Sequence, residues 1–228
     1  MTFITSFFTS LIALVLTTAL QSAPAPPRFD YLVRADFFAG IAGDQARLDK
    51  VIALTERTLA ENPTHPEAMV WHGAAVLVRA AQAFQKGDFA AGGPLFAAGV
   101  KEMSDAATLA PDNPGVLIPR GAVLLEATRT MPPDAARPLL ESAVKNYERA
   151  LQLQEPTFNT LGDHAKGELL FGLADGWSRL GDEDKARRYF ARVIADAPTS
   201  GQTPRAREWM ATGVVPKTNG MNCTGCHK

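Results

Sequence analysis

The amino-acid sequence predicts an all-α protein, a superhelix of stacked helix pairs that ends in an irregular tail. Apolar residues recur at the spacing of one helix face in successive segments, and Gly or Pro separates these segments. The same helix–turn–helix pattern returns along the chain, which indicates internal repeats. Both cysteines lie in the last six residues, so no disulfide cross-links the helical part of the chain, and helix packing must stabilise it.

The composition is that of a globular protein without a strong charge preference. The chain has 228 residues, of which 46% are hydrophobic and 21% are charged, and its net charge is −1. These fractions are ordinary for a folded domain. Lys and Arg are scattered, so the sequence offers no electrostatic footprint for nucleic acid or for an anionic membrane surface. We therefore expect no nucleic-acid partner.

The N-terminal segment has the layout of a secretory signal. Apolar residues mixed with Thr and Ser run from Phe3 to Leu20, and the first charged side chain is Arg28. We assign residues 1–22 to a signal peptide and 23–29 to a Pro-rich spacer, which predicts a periplasmic or otherwise extracytoplasmic protein. The alternative is an uncleaved membrane anchor, because the apolar stretch is at the short limit of about 17–25 residues for a helical span.

Residues 30–200 are predicted to hold four helix pairs. The first pair turns at Gly43-Asp44, and Pro-containing junctions begin the second and third pairs at Pro66 and Pro114. The second pair is too long for a regular repeat, so residues 84–99 must hold extended helices or an insertion. The fourth pair, at 167–200, is the clearest.

In the fourth pair, two apolar helix faces flank one turn. The first face consists of Leu170, Leu173, Ala174 and Trp177, and the second of Ala186, Phe190 and Val193. Gly181 lies at the turn, where a positive φ costs glycine little. Pro198 ends the second helix.

This unit resembles the tetratricopeptide repeat (TPR), because its large, small, aromatic, Gly and Pro residues follow the spacing of that repeat without gaps over about 34 residues. The resemblance implies a binding groove for a protein partner, lined by the first helix of each pair. The residues placed on it are Glu67, Val70, Ala74, Leu77, Gly115, Ile118, Ala122, Leu125, Glu168, Phe171, Asp175 and Ser178. This small, apolar groove suits an apolar peptide or helix. Alternatively, a neighbouring helix or the protein's own tail fills it.

Residues 201–213 are predicted to form a capping helix, because the outermost repeat needs a cover for its apolar face. Trp209 would pack inward, while Arg205, Arg207 and Glu208 would face water. Residues 214–228 lack helical periodicity and are predicted to form an irregular tail.

The tail contains Cys223-Thr224-Gly225-Cys226-His227, which matches the haem-attachment motif and resembles that of the c-type cytochromes. Two thiols three positions apart can form thioethers with the two haem vinyl groups, and His227 can supply an axial imidazole to the iron. The resemblance implies one covalent haem c held by Cys223, Cys226 and His227. It covers these five residues alone, and Lys228 is the only residue given after them.

Two other chemistries suit the same cysteines. A redox-active disulfide is one, although no strand pattern precedes the motif as in thioredoxin-like proteins. A structural zinc site is the other, but zinc prefers four ligands and this tail offers three. A distal haem ligand stays unassigned: His164 is a candidate, His72 is expected to be a packed, hydrogen-bonded residue and His65 a solvated one.

The sequence therefore predicts an extracytoplasmic electron-transfer protein whose repeats dock a redox partner. The alternative is a non-enzymatic scaffold for protein–protein interaction, with a tail that is incidental or serves thiol redox chemistry. No phosphate-binding glycine loop, nucleophile elbow or His-Glu-x-x-His motif occurs in the chain, so we expect no enzymatic activity.

Overall fold

The computed structural model describes residues 28–215 and has the all-α architecture that the sequence predicts. Helix accounts for 84% of these residues, and no strand occurs among them. In this range the α-helices are α1 (Phe29–Ile41), α2 (Gln45–Glu61), α3 (Pro66–Gln85), α4 (Phe89–Leu109), α5 (Pro114–Ala127), α6 (Pro133–Gln154), α7 (Asp163–Leu180), α8 (Glu183–Asp196) and α9 (Thr203–Thr212). Short 3₁₀ helices occupy Thr128–Thr130 and Glu155–Thr160.

The helices pack as neighbouring pairs, α1 with α2, α3 with α4, α5 with α6 and α7 with α8. The first helices of successive pairs also contact one another, because α3 touches α1 and α5, and α5 touches α7. The last helix, α9, packs on α8. This arrangement is the stack of helix pairs that the repeat pattern predicts, with α9 at the end of the described chain.

The fourth pair follows its sequence pattern closely. The first helix, α7, ends at a turn in which Gly181 has φ 86°, the left-handed conformation that glycine adopts without strain. The side chain of Asp182 then caps α8 by accepting a hydrogen bond from the amide of Lys185 at 3.0 Å. On α8, Phe190 is fully buried and stacks on Trp209 of α9, with ring centroids 4.5 Å apart. The predicted capping helix therefore buries its Trp.

The second pair is long because both of its helices are extended, at 20 residues for α3 and 21 for α4. The two helices approach closely where Gly73 faces Gly99. A Cβ added to Gly73 would lie 2.8 Å from the carbonyl oxygen of Gly99, and one added to Gly99 would lie 2.7 Å from that of Gly73. The excess length predicted at residues 84–99 is thus continuous helix on either side of a short turn, and the glycines let the backbones touch.

Two apolar cores run through the stack and meet at α5. The N-terminal core contains Phe37, Trp71 and Met103 and extends to Val116 and Val123 of α5. The C-terminal core begins on the same helix and continues through α6 to α9. Because α5 supplies side chains to both cores, it joins the two halves of the described chain.

No helix within residues 28–215 is long and apolar enough to cross a membrane. The predicted signal peptide or anchor, residues 1–22, and most of the predicted spacer lie outside the described residues.

We expect Gly99→Ala to lower the free energy of unfolding by about 1–3 kcal/mol, because the added methyl group must push α3 and α4 apart. Gly93 lies on the same helix, and a Cβ there meets nothing within 4 Å. Gly93→Ala should therefore change the free energy of unfolding by less than about 1 kcal/mol, because the gain in helix propensity is offset by crowding against the ring of Pro94, the next residue. Urea titrations followed by far-UV circular dichroism compare the two variants. Equal stability changes would contradict the close approach.

Candidate functional site

A cavity of about 60 Å³ lies between α5 and α7, on the side of the stack formed by the first helices of the pairs. Its apolar walls come from Ile118, Ala122 and Leu125 of α5 and from Phe171 and Gly172 of α7. Four of these five residues belong to the groove that the TPR resemblance implies. The structure therefore brings the groove positions of the third and fourth pairs together as predicted.

One aromatic ring from the neighbouring helix α6 reaches the cavity. Tyr147 packs against Gly121 of α5 and Gly172 of α7, and a Cβ on either glycine would lie within 2.8 Å of its ring. The two glycines thus make room for the phenol ring between the helices. Tyr147 is 4% exposed and forms part of the cavity wall.

A buried carboxylate, Asp175, also lines the cavity, and its side chain is 1% exposed. Its Oδ2 accepts a hydrogen bond from Nη2 of Arg129 at 2.7 Å. Arg129 follows α5 in the chain, so this ion pair connects the third helix pair to the fourth. The other oxygen, Oδ1, has no hydrogen-bond partner in the described part of the chain. A buried acceptor without a donor is unusual in folded proteins.

A second arginine hydrogen-bonds to the C-terminal end of α5. Arg179 of α7 donates to the carbonyl oxygen of Leu125 at 2.7 Å and to the hydroxyl of Thr128 at 2.9 Å. Carbonyl groups at the end of a helix have no partner within the helix, so the guanidinium satisfies one of them. Together with the Arg129–Asp175 pair, this contact fixes α7 against α5 beside the cavity.

The capping helix covers the adjacent part of the α7 groove face. The guanidinium of Arg205 lies 4.3 Å from the ring centroid of Phe171, and the indole of Trp209 donates to the hydroxyl of Ser178 at 3.0 Å. Gln202, just before α9, lines the cavity itself. The prediction that Arg205 faces water is only partly right, because Arg205 is half-buried and its cation packs on an aromatic ring.

In the second pair, neighbouring helices cover the groove positions. Val70 and Ala74 are fully buried and Leu77 is 5% exposed, since α1 and α5 pack against α3. Glu67 accepts a hydrogen bond from Asn113 at 3.1 Å. Neighbouring helices fill this part, as one of the two alternatives from the sequence predicts. The cavity between α5 and α7 is therefore the part of the groove that could receive a side chain.

The predicted haem-attachment residues Cys223, Cys226 and His227 lie outside the described residues. The chain approaches them from the end of α9, where Gly213 adopts φ 72°. Val215 is partly buried and packs against the C-terminal core. The tail thus starts from a fixed point on the body, beside the last helix pair.

The three described histidines all have contacts within the body. Nδ1 of His65 caps α3 by accepting from the amide of Ala68 at 3.2 Å, so the prediction of a merely solvated His65 is wrong. His72 lies 2.7 Å from Glu102, as expected for a packed, hydrogen-bonded residue. His164 lies 3.3 Å from the carboxylate of Glu168 and has a side chain that is 43% exposed.

The donor set of the tail motif fits a covalent haem, because it supplies two thiols for thioether bonds and one imidazole for the iron. Among residues 28–215, no group of three or more His, Cys, Asp or Glu side chains could hold a metal ion. Met103 is fully buried, and Met69, Met131 and Met210 pack against the two cores.

No model of a known protein family matches the chain, and no similar sequence was found among curated proteins. The resemblance to the TPR therefore depends on the spacing in the fourth helix pair, and the resemblance to c-type cytochromes on five residues of the tail.

We expect Arg129→Met to lower the free energy of unfolding by about 2–3 kcal/mol, because it leaves the buried carboxylate of Asp175 without its cation. Arg137→Met is the matched control, since Arg137 pairs with Glu141 on the exposed surface of α6. Exposed pairs contribute at most about 1 kcal/mol. Urea unfolding of both variants measures the difference, and a similar small loss in each would show that the Asp175 pair is not important for stability.

The His72–Glu102 pair should make stability depend on pH. The hydrogen bond to Glu102 raises the pKa of His72 above its ordinary value, although partial burial opposes the shift. Stabilisation by the charged pair is then full below about pH 6.5 and declines as the pH rises through the raised pKa. We expect the free energy of unfolding of wild type to exceed that of His72→Gln by up to about 1 kcal/mol at low pH and by less at high pH.

Urea titrations of wild type and His72→Gln, at pH values below and above the pKa of histidine, test whether the stability difference depends on pH. Glu102→Gln should abolish it as well, because it removes the partner that favours the protonated imidazole. A difference between wild type and His72→Gln that stays constant with pH would contradict a charged pair.

Proposed function

We propose that this protein is an exported, TPR-like carrier of one covalent haem c that exchanges electrons with a protein partner. The single observation that carries the proposal is the Cys223-Thr224-Gly225-Cys226-His227 sequence, which contains the only two cysteines of the chain. A signal-like N-terminus supports an extracytoplasmic location, and a stack of helix pairs supports a role in docking.

Each residue of the motif has a distinct role in this proposal. The sulfur atoms of Cys223 and Cys226 hold the porphyrin through two thioether bonds, so the cofactor cannot dissociate. The imidazole of His227, next in sequence to Cys226, would ligate the iron. When bound, the haem supplies one-electron redox chemistry through its iron. The rest of the chain orients the tail and selects the partner.

The body contributes binding rather than catalysis. The first helices of the pairs contact one another along one side of the stack, and the ion pair between Arg129 and Asp175 keeps α5 and α7 in register there. A protein partner would bind along this side of the stack, close to the point where the tail leaves α9. Short-range docking of that kind suits electron transfer, because it brings the redox centres together.

Haem staining of the chain, produced together with a cytochrome c maturation system, tests the proposal. The protein should retain haem on a denaturing gel and show the pyridine haemochrome spectrum of a doubly linked haem. Cys223→Ser combined with Cys226→Ser should abolish the stain. Met221→Leu is the control, since Met221 lies near the motif without belonging to it, and this variant should stain as strongly as wild type.

A mature chain whose mass shows only the polypeptide would rule out the haem carrier. The scaffold would then be the better proposal, and it makes its own prediction, that the double Cys→Ser variant captures its partner as well as wild type does.

A further inference from the structure

We propose that the cavity between α5 and α7 is the docking site of the chain's own tail, residues 216–228. In this proposal the aliphatic stem of a tail lysine enters the cavity, and its ammonium donates the hydrogen bond that Oδ1 of Asp175 lacks. The inference goes beyond the haem proposal, because the docking needs no cofactor.

The buried carboxylate is the first observation that points to a ligand. Asp175 is 1% exposed, and Arg129 satisfies one of its oxygens while the other has no partner among residues 28–215. A buried oxygen of this kind is normally satisfied by a protein group or by ordered water. Asp175 lines the cavity, so a donor that enters from outside the described body would meet this carboxylate.

The charge of the cavity fits a cation. Two carboxylates, Asp175 and Glu168, are among its lining residues, and no Lys or Arg is. Around the cavity, Arg129 binds Oδ2 of Asp175, His164 lies against Glu168 and Arg205 packs on Phe171. None of these cations donates to Oδ1 of Asp175 in the described part of the chain. Residues 216–228 contain two lysines and one histidine and no Asp or Glu. The tail is therefore the oppositely charged segment that the chain itself provides.

The size of the cavity favours one long side chain over a helix. Its volume of about 60 Å³ is enough for a few atoms and far too small for a helical peptide. Lysine suits the site because its methylene groups can lie along Ile118, Leu125 and Phe171 while its charged end reaches the carboxylate. An apolar helix, the ligand that the groove residues first suggest, fits less well.

The tail also starts in the right place. Val215 packs against the same apolar core that contains Leu125, Tyr147 and Phe171, which line the cavity. From Val215 the chain can extend about 3.3–3.6 Å per residue, so Cys223 lies at most about 29 Å away. If the haem proposal is right, docking would hold the attachment residues beside the fourth helix pair and would fix which side of the stack carries the haem.

A carbodiimide, which joins a lysine amine to a carboxylate in direct contact, tests the docking in the exported full-length chain. Peptide mass spectrometry should find Lys217 or Lys228 linked to Glu168 or Asp175. The surface pair Lys101–Asp105, with 2.6 Å between its charged atoms, serves as the internal control for the reagent. Linkage at the control pair without any link from the tail to either cavity carboxylate would overturn the proposal.

A second measurement does not depend on the reagent. Amide hydrogen exchange in α5 and α7 should become several-fold faster when both tail lysines are changed to Gln, and it should stay slow when both are changed to Arg. Exchange in α2, remote from the cavity, is the reference and should not change. Equal exchange rates in wild type and the Gln variant would count against the docking.

Two further experiments test whether a second copy occupies the cavity and whether the docking needs the haem. In a mixture of isotope-labelled and unlabelled protein, a link between the two forms would mean that a second copy, rather than the same chain, fills the cavity, which would overturn the proposal. Repeating the experiments with Cys223→Ser and Cys226→Ser removes any haem. A tail link that persists in this variant would show that the docking does not need the haem. A wild-type chain with the link but without haem would disprove only the proposed function, and a wild-type chain with haem but without the link would disprove only the docking.

Discussion

The structure depends on one constraint: no helix pair can cover its own apolar face, so each pair must bury that face against the next. The helix α5 shows the constraint most clearly, because it contributes Val116 and Val123 to one core and Leu117, Leu124 and Leu125 to the other. Without α5, neither half would have a closed interior. The other features of the body serve this stacking, including the close approach at Gly73 and Gly99 and the cover that Trp209 provides at the end.

Polar contacts add specificity to the stacking rather than driving it. The pair formed by Arg129 and Asp175 and the bonds from Arg179 to the end of α5 both join the third helix pair to the fourth. A buried ion pair gains little over apolar packing in free energy. Its directional bonds do, however, admit few relative positions of α5 and α7, so they fix the shape of the cavity between them.

Sequence spacing alone predicts much of this body. The fourth pair keeps a regular pattern, and its turn glycine, its two apolar faces and the helix that covers it all lie where the pattern places them. The α5–α7 cavity was also predictable, since its walls occupy the groove positions of the repeat. Contacts between residues far apart in the chain were not predictable: nothing local marks Arg205 as the neighbour of Phe171, or Tyr147 as a ring held between two glycines. The role of His65 as a helix cap was missed for a different reason, because Ser, Thr, Asp and Asn are the usual caps.

The stacked Trp209 at the end of the body has a kinetic consequence. It anchors the last helix, so Cys223 is confined to a sphere of about 29 Å around Val215. A group on so short a tether meets a surface of its own body at an effective concentration of the order of millimolar, whatever the protein's abundance. Encounters within the molecule then become independent of dilution, whereas those with another molecule still scale with its concentration.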